Sequence, residues 1–261
     1  MRYFDSHAHY YDERFEEELQ GGADAVIAPL FADKISYIVN IGTAPDTCRM
    51  AVAQAKKYDR MYTALGIHPS DSRLITDANA ALADVESMIL DVSNKCVALG
   101  EIGLDYHYPD TDREMQKMYF RRQMAMAERL GLPVVIHDRD AHGDVVEIIR
   151  EFPCVTGVLH SFSGSAEMAE ELVKLGYTIS FSGTLTFKNA RRPKEAAAVV
   201  PMDRILIETD CPYLAPHPLR GTLNHSGNLE YTCRALAEIK GITEEECAKL
   251  TEENAKRFFR I

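Results

Sequence analysis

The stretch REMQKMYFRRQMAMAERLGLPVVIH, from Arg113 to His137, shows one repeat of the pattern that sets the fold. Met115, Met118, Met124, Met126 and Leu130 recur among charged residues, which predicts an amphipathic helix over Arg113–Leu130. Gly131 is a helix stop, and Pro133 opens the apolar run Val134-Val135-Ile136, which reads as a strand. Comparable runs lie at 2–7, 35–42, 61–67, 96–102, 133–138, 156–162, 177–183 and 204–210, with helical stretches between them. Strands that alternate with helices pair in parallel. Eight such units close into a (β/α)8 TIM barrel, typically about 250 residues long. The 261 residues therefore read as one α/β domain over 1–261. A last helix, about 243–259, has Glu244, Glu245 and Glu246 in its first turn and Lys256 and Arg257 near its end. That order suits the helix dipole and fits a helix that closes the barrel. The longest irregular stretch, about 211–228, follows the eighth strand and would overhang the catalytic face.

Hydrophobic residues make up 46% of the chain, ordinary for a globular domain, and net charge is −11. An acidic chain argues against broad non-specific binding to DNA but leaves room for a local cationic site built on metal. Six cysteines are scattered without a C-x-x-C pair, which suits free thiols in a reducing compartment. The start, Met1-Arg2-Tyr3-Phe4-Asp5, lacks the apolar region of a signal peptide, and no run approaches a membrane span. A cytoplasmic protein with no membrane partner is expected.

Chemistry enters with Asp5-Ser6-His7-Ala8-His9. Side chains at i and i+2 of a strand share a face, so His7 and His9 project together, as metal ligands do. Four later strand ends carry Glu101, His137, His160 and Asp210. Barrel enzymes take their catalytic groups from such ends. Each residue alone has an ordinary explanation: a hydrogen-bonded structural histidine, or an aspartate capping the next helix. Five strand ends converging on one ligand set is much harder to obtain by chance.

Four imidazoles and two carboxylates suffice for two divalent ions. His7 and His9 would hold the first and His137 and His160 the second. Glu101 would bridge them, and Asp210 would bind one ion and orient or deprotonate the water. Two divalent ions, two carboxylates and a hydroxide sum to +1, which attracts an anionic group such as a phosphodiester. Ions roughly 3.5–4 Å apart would stabilise attacking and leaving oxygens, and bound water would reach a pKa of about 7. Mixed nitrogen and oxygen ligands suit zinc, manganese or iron better than magnesium.

The motifs together resemble the TatD family of metal-dependent deoxyribonucleases, which are amidohydrolase-type barrels. The matching segments are Asp5-Ser6-His7-Ala8-His9, Gly66-Ile67-His68-Pro69, Gly100-Glu101-Ile102-Gly103-Leu104-Asp105-Tyr106, Pro133-Val134-Val135-Ile136-His137, His160-Ser161-Phe162-Ser163-Gly164 and Glu208-Thr209-Asp210-Cys211-Pro212-Tyr213-Leu214. Every metal position of the family pattern is filled. The resemblance implies a hydrolase acting on DNA, typically an exonuclease, working on single strands or ends with no obligate protein partner.

Further residues carry two readings each. His68 reads as a catalytic contact to phosphate or leaving group, or equally as a structural histidine. Glu208 would orient a ligand histidine. Lys188, Arg191, Arg192 and Lys194 would track a nucleic-acid backbone if they lie on the catalytic face; as a charge run they read as a solvated helix surface. Tyr106, His107 and Tyr108 would stack on a base or pack within their loop, and Ser163-Gly164 would donate to phosphate or cap a helix. Two other functions compete. One is a metal-dependent hydrolase of a small ester, an amide or an aminoacyl-tRNA ester; the other is a binding scaffold, which would predict a degenerate ligand set.

Overall fold

A computed structural model describes residues Met1–Ile261. Eight parallel strands stand in sequence order: β1 Tyr3–Ala8, β2 Ile35–Gly42, β3 Met61–Leu65, β4 Cys96–Asp105, β5 Val134–Arg139, β6 Gly157–Leu159, β7 Thr178–Phe181 and β8 Ile205–Ile207. Contacts just past β8 join it to β1. Ala8 bridges Cys211, the His9 N–H donates to the Cys211 carbonyl at 2.8 Å, and the Asp210 N–H donates to the His7 carbonyl at 2.9 Å. The result is a nearly closed (β/α)8 barrel. Its helices are α1 Glu13–Glu18, α2 Asp24–Asp33, α3 Pro45–Ala55, α4 Ala78–Leu90, α5 Arg113–Leu130, α6 His142–Glu151, α7 Ala166–Lys174, α8 Arg191–Val199, α9 Leu229–Lys240 and α10 Glu244–Phe259. None is long and apolar enough to cross a membrane.

Local chemistry sets the ends of α5. The Asp112 side chain accepts from the Met115 N–H at 3.0 Å, and Gly131 takes the left-handed conformation that stops the helix. The barrel interior is packed, not hollow. Phe4, Val39, Ile41, Ala64, Ala98, Val135, Val158 and Leu206 form one buried cluster with Ala255 and Phe259 of α10. Phe259 stacks on Phe4 with ring centroids 5.9 Å apart, so α10 plugs the end where the strands begin. A larger core fills the space between strands and helices, with Ile38, Leu99, Phe120 and Leu236 among its members. Apolar filling at one end leaves the polar residues to the other.

Strand boundaries differ from expectation at three places that matter. β4 runs on to Asp105 because its ladder with β5 continues through Gly103–His137, Leu104–Asp138 and Asp105–Arg139. Glu101 is therefore inside a strand, not at its end. β6 stops at Leu159 and β8 at Ile207, which leaves His160 one residue and Asp210 three residues beyond regular pairing. After β8 the backbone turns to side-chain partners: the Thr209 N–H donates to Asp5 Oδ1 at 3.0 Å. Asp210 itself has φ +57°, an uncommon conformation for a residue with a Cβ.

Candidate metal centre

β1 delivers the first pair of histidines. A register irregularity between Asp5 and Ala8 breaks strict alternation, a device that re-aims side chains near functional sites. His7 Nε2 and His9 Nε2 converge to 3.0 Å. Glu101 Oε2 stands 3.3 Å from the first and 3.8 Å from the second. Asp210 Oδ1 lies 3.5 Å from His7 Nε2 and 3.3 Å from His9 Nε2. On the other side, Glu101 Oε1 is 2.9 Å from His137 Nδ1 and 2.8 Å from His160 Nε2. The two oxygens of Glu101 are thus divided between two histidine pairs.

Each histidine except His7 spends its outer nitrogen on an oxygen. His9 Nδ1 donates to the Ile41 carbonyl at 3.0 Å, His137 Nε2 to Asp105 Oδ2 at 3.2 Å, and His160 Nδ1 to Glu208 Oε1 at 3.1 Å. That fixes the tautomer of the neutral ring and leaves the inner nitrogen a lone pair. Glu208 also accepts from the Ser161 N–H at 2.7 Å. His7 Nδ1 is buried without a partner, and its ring is held by stacking on His160, centroids 4.1 Å apart. His7 Nε2, His9 Nε2, Glu101 Oε2 and Asp210 Oδ1 all face one point, and such a nitrogen and oxygen donor set fits a cation between them. Electrostatics agree. Burial opposes charge on His9, His137 and His160, yet the facing carboxylates draw their pKa upward. Burial would raise the Glu101 carboxyl, but His160, His68 and His7 hold it well below the usual carboxylate range. Groups of three that could hold an ion are His7–His9–Glu101, His68–Glu101–His137 and His7–His160–Asp210.

His68 is drawn into the same cluster, its Nε2 3.5 Å from Glu101 Oε1. Its Nδ1 accepts the Ser70 N–H at 3.1 Å, so the neutral ring carries its proton on Nε2. Burial pushes its pKa down to about 3. His68 therefore presents a neutral N–H donor, where His9, His137 and His160 present lone pairs.

The substrate contacts read from sequence divide. Asn189, Ala190 and Pro193 line the cleft, whereas Lys188, Arg191 and Arg192 do not. Arg191 pairs with Glu195 at 2.8 Å, and Lys194 donates to the Phe187 carbonyl at 3.0 Å. Tyr106 is tied to α6 and α5, its hydroxyl donating to Asp144 at 2.6 Å and its ring lying under Arg113. His107 pairs with Asp140 at 3.1 Å, and Tyr108 stays exposed. Ser163 lines the cleft; Gly164 is a packing residue, where a Cβ would meet the Phe162 ring at 2.6 Å. Sequence reasoning missed Asp105 as the partner of His137. Alternation from Glu101 through Gly103 could have found it, because residues two apart share a strand face. It also passed over Asp5, a fully buried carboxylate that accepts from the Thr209 and Ser226 hydroxyls at 2.6 and 2.7 Å.

A barrel that gathers four histidines and two carboxylates, five of them at or just past the carboxyl ends of strands and Glu101 within β4, fits a metal-dependent hydrolase. The chain matches the family model described as TatD related DNase over residues 4–260, and it belongs to that family. It is 44% identical over 260 residues to the uncharacterized metal-dependent hydrolase YabD of Bacillus subtilis, covering 99% of each chain. YcfH of Escherichia coli K12, also an uncharacterized metal-dependent hydrolase, is 36% identical, with 98% of this chain and 95% of that one covered. Among solved structures, the TatD homolog YjjV of Escherichia coli K12 superposes with a TM-score of 0.91 at 27% identity, covering 100% of this chain and 98% of that one.

Proposed function

We propose that the chain hydrolyses phosphodiester bonds in DNA, as an exonuclease acting on single strands or ends, with two divalent ions held by His7, His9, Glu101, His137, His160 and Asp210. The observation that carries this reading is the division of the two Glu101 oxygens between the His7–His9 pair and the His137–His160 pair. The family description as a DNase supplies the substrate class. When bound, zinc, manganese or magnesium ions supply positive charge to the phosphodiester oxygens and lower the pKa of water to about 7.

The chain's own residues do the rest. Asp210 Oδ1, facing His7 and His9, orients the attacking water and takes its proton. The water oxygen bonds to phosphorus as the ester P–O bond breaks, and the leaving oxygen departs as an alcohol after taking a proton from solvent. His68 Nε2–H donates to the phosphoryl or leaving oxygen, which neutral imidazole can do without adding charge. Asp105 and Glu208 hold the outer nitrogens of His137 and His160, so both rings stay aimed. The six cysteines are free thiols, which supports the cytoplasm as the working compartment.

Cleavage of a single-stranded oligonucleotide labelled at either end tests the reading, using metal-stripped protein resupplied with zinc, manganese or magnesium. A metal-dependent ladder is expected from the wild type, with at least a hundredfold loss in Asp210→Asn. Undiminished cleavage by folded Asp210→Asn contradicts the assigned role. The net charge of −11 favours a second reading, hydrolysis of a small ester, an amide or an aminoacyl-tRNA ester. Failure to cleave DNA with any metal, by protein that holds two ions, would select it.

A further inference from the structure

The cleft has two lobes that meet at His137, His160 and Asp210. The lobe toward β1–β3, about 360 Å³, adds Asp12, Asp71 and Glu101, and no lysine or arginine lines it. The lobe toward β5–β8, about 440 Å³, is different in kind. Arg139 is the one lysine or arginine lining either lobe, and Phe187, Pro193 and Leu214 give this lobe apolar walls. Its size falls in the range of roughly 300–1,000 Å³ that holds a small ligand.

Arg139 ends β5 two residues past His137 and is exposed. Its guanidinium stands 5.9 Å from the Tyr108 ring centroid and makes no salt bridge, unlike Arg191. Phe187 is held on both sides of its peptide: its N–H donates to Thr184 at 3.0 Å and its carbonyl accepts from Lys194 at 3.0 Å. Arg220, from the loop after β8, places its guanidinium carbon 4.3 Å from the Phe187 ring centroid. An aromatic ring and an unpaired guanidinium that line one lobe are what an unpaired base and its phosphate require.

We propose that this lobe is a nucleotide subsite. Arg139 binds a phosphate next to the scissile one, and Phe187, braced by Arg220, stacks an unpaired base. The proposal rests on the nuclease reading above. Asp12 and Asp71 in the first lobe repel a polynucleotide backbone, so the strand leaves the centre on the Arg139 side. Stacking on Phe187 makes single-stranded segments the substrate, because a paired base must first leave its own stack.

The test compares two substrates in the metal-loaded enzyme: a single-stranded oligonucleotide, and methyl 4-nitrophenyl phosphate, which has neither a second phosphate nor a base. The variants are Arg139→Gln, Phe187→Ala and, to keep volume without the ring, Phe187→Leu. In each, the ratio of oligonucleotide to small-substrate kcat/KM is expected to fall about tenfold, chiefly through KM. Arg139→Gln is also expected to flatten the log–log salt dependence by about 0.7, one single-strand phosphate contact. A general disturbance of the centre would lower both activities together and leave the ratio unchanged. An unchanged ratio, in enzyme that cleaves DNA, overturns the subsite and leaves the nuclease reading standing. Absence of oligonucleotide cleavage by the wild type overturns the nuclease reading, and the subsite with it.

Discussion

Around Glu101, the outer nitrogens of the histidines decide what the inner ones can do. His9, His137 and His160 each donate outward, to a carbonyl, Asp105 and Glu208, so their inner nitrogens are left to accept a cation. His68 accepts from Ser70 instead and faces the centre as a donor. Removing an outer partner frees the ring to rotate. Glu208→Ala is expected to weaken ion binding about 10–100-fold, measured by titrating metal-stripped protein calorimetrically. Affinity equal to wild type would show that His160 needs no such support. At this scale the six proposed ligands could be read from sequence, because each is an ionisable residue interrupting or closely following an apolar run. Asp5, Asp105 and Arg139 could not be read as readily. Asp5 acts through a hydrogen bond across 204 positions of chain and Arg139 through its place in the cleft, which no local pattern records; Asp105 meets His137 across 32 positions, and only the alternation of β4 hints at it.

Elements set the distances. The eight strands, α5 and α10 follow from periodicity, caps and stop signals, and their placement matches expectation closely. The ends of β4, β6 and β8 do not, for a physical reason. A strand ends where its neighbour stops pairing, and β5 continues alongside β4 past residue 102, where the expected strand ended. Gly103 shows why a glycine belongs there. It has φ +135°, and a Cβ would meet the His137 carbonyl oxygen at 2.0 Å. Gly103→Ala would push β4 from β5 beside a proposed ligand. It is expected to destabilise by about 3 kcal/mol, combining overpacking with an unfavourable backbone conformation. A urea midpoint measures the loss, and elemental analysis should show less bound metal. A midpoint equal to wild type would mean that the ladder relaxes freely at this point.

For the whole molecule, one end of the barrel is a plug of apolar residues and the other a buried set of charges. Phe4, Val135, Leu206 and Phe259 supply the first; Glu101 and Asp210 sit in the second. Buried carboxylates and imidazoles that attract a cation should make stability depend on it. At a thousandfold excess over Kd, an ion that binds only the folded chain adds about 4 kcal/mol. For a domain of this size that is on the order of 10 °C in Tm. Chelation should lower the melting temperature by that amount and resupplied zinc or manganese restore it. Identical melting curves would argue that the cluster holds no ion.

Anomalous diffraction from crystals grown with manganese or zinc tests the two-ion centre most directly. Two peaks are expected, one on each side of the Glu101 carboxylate and roughly 3.5–4 Å apart, the first beside His7 and His9 and the second beside His137 and His160. A single peak, or peaks away from these six side chains in fully loaded protein, would contradict it.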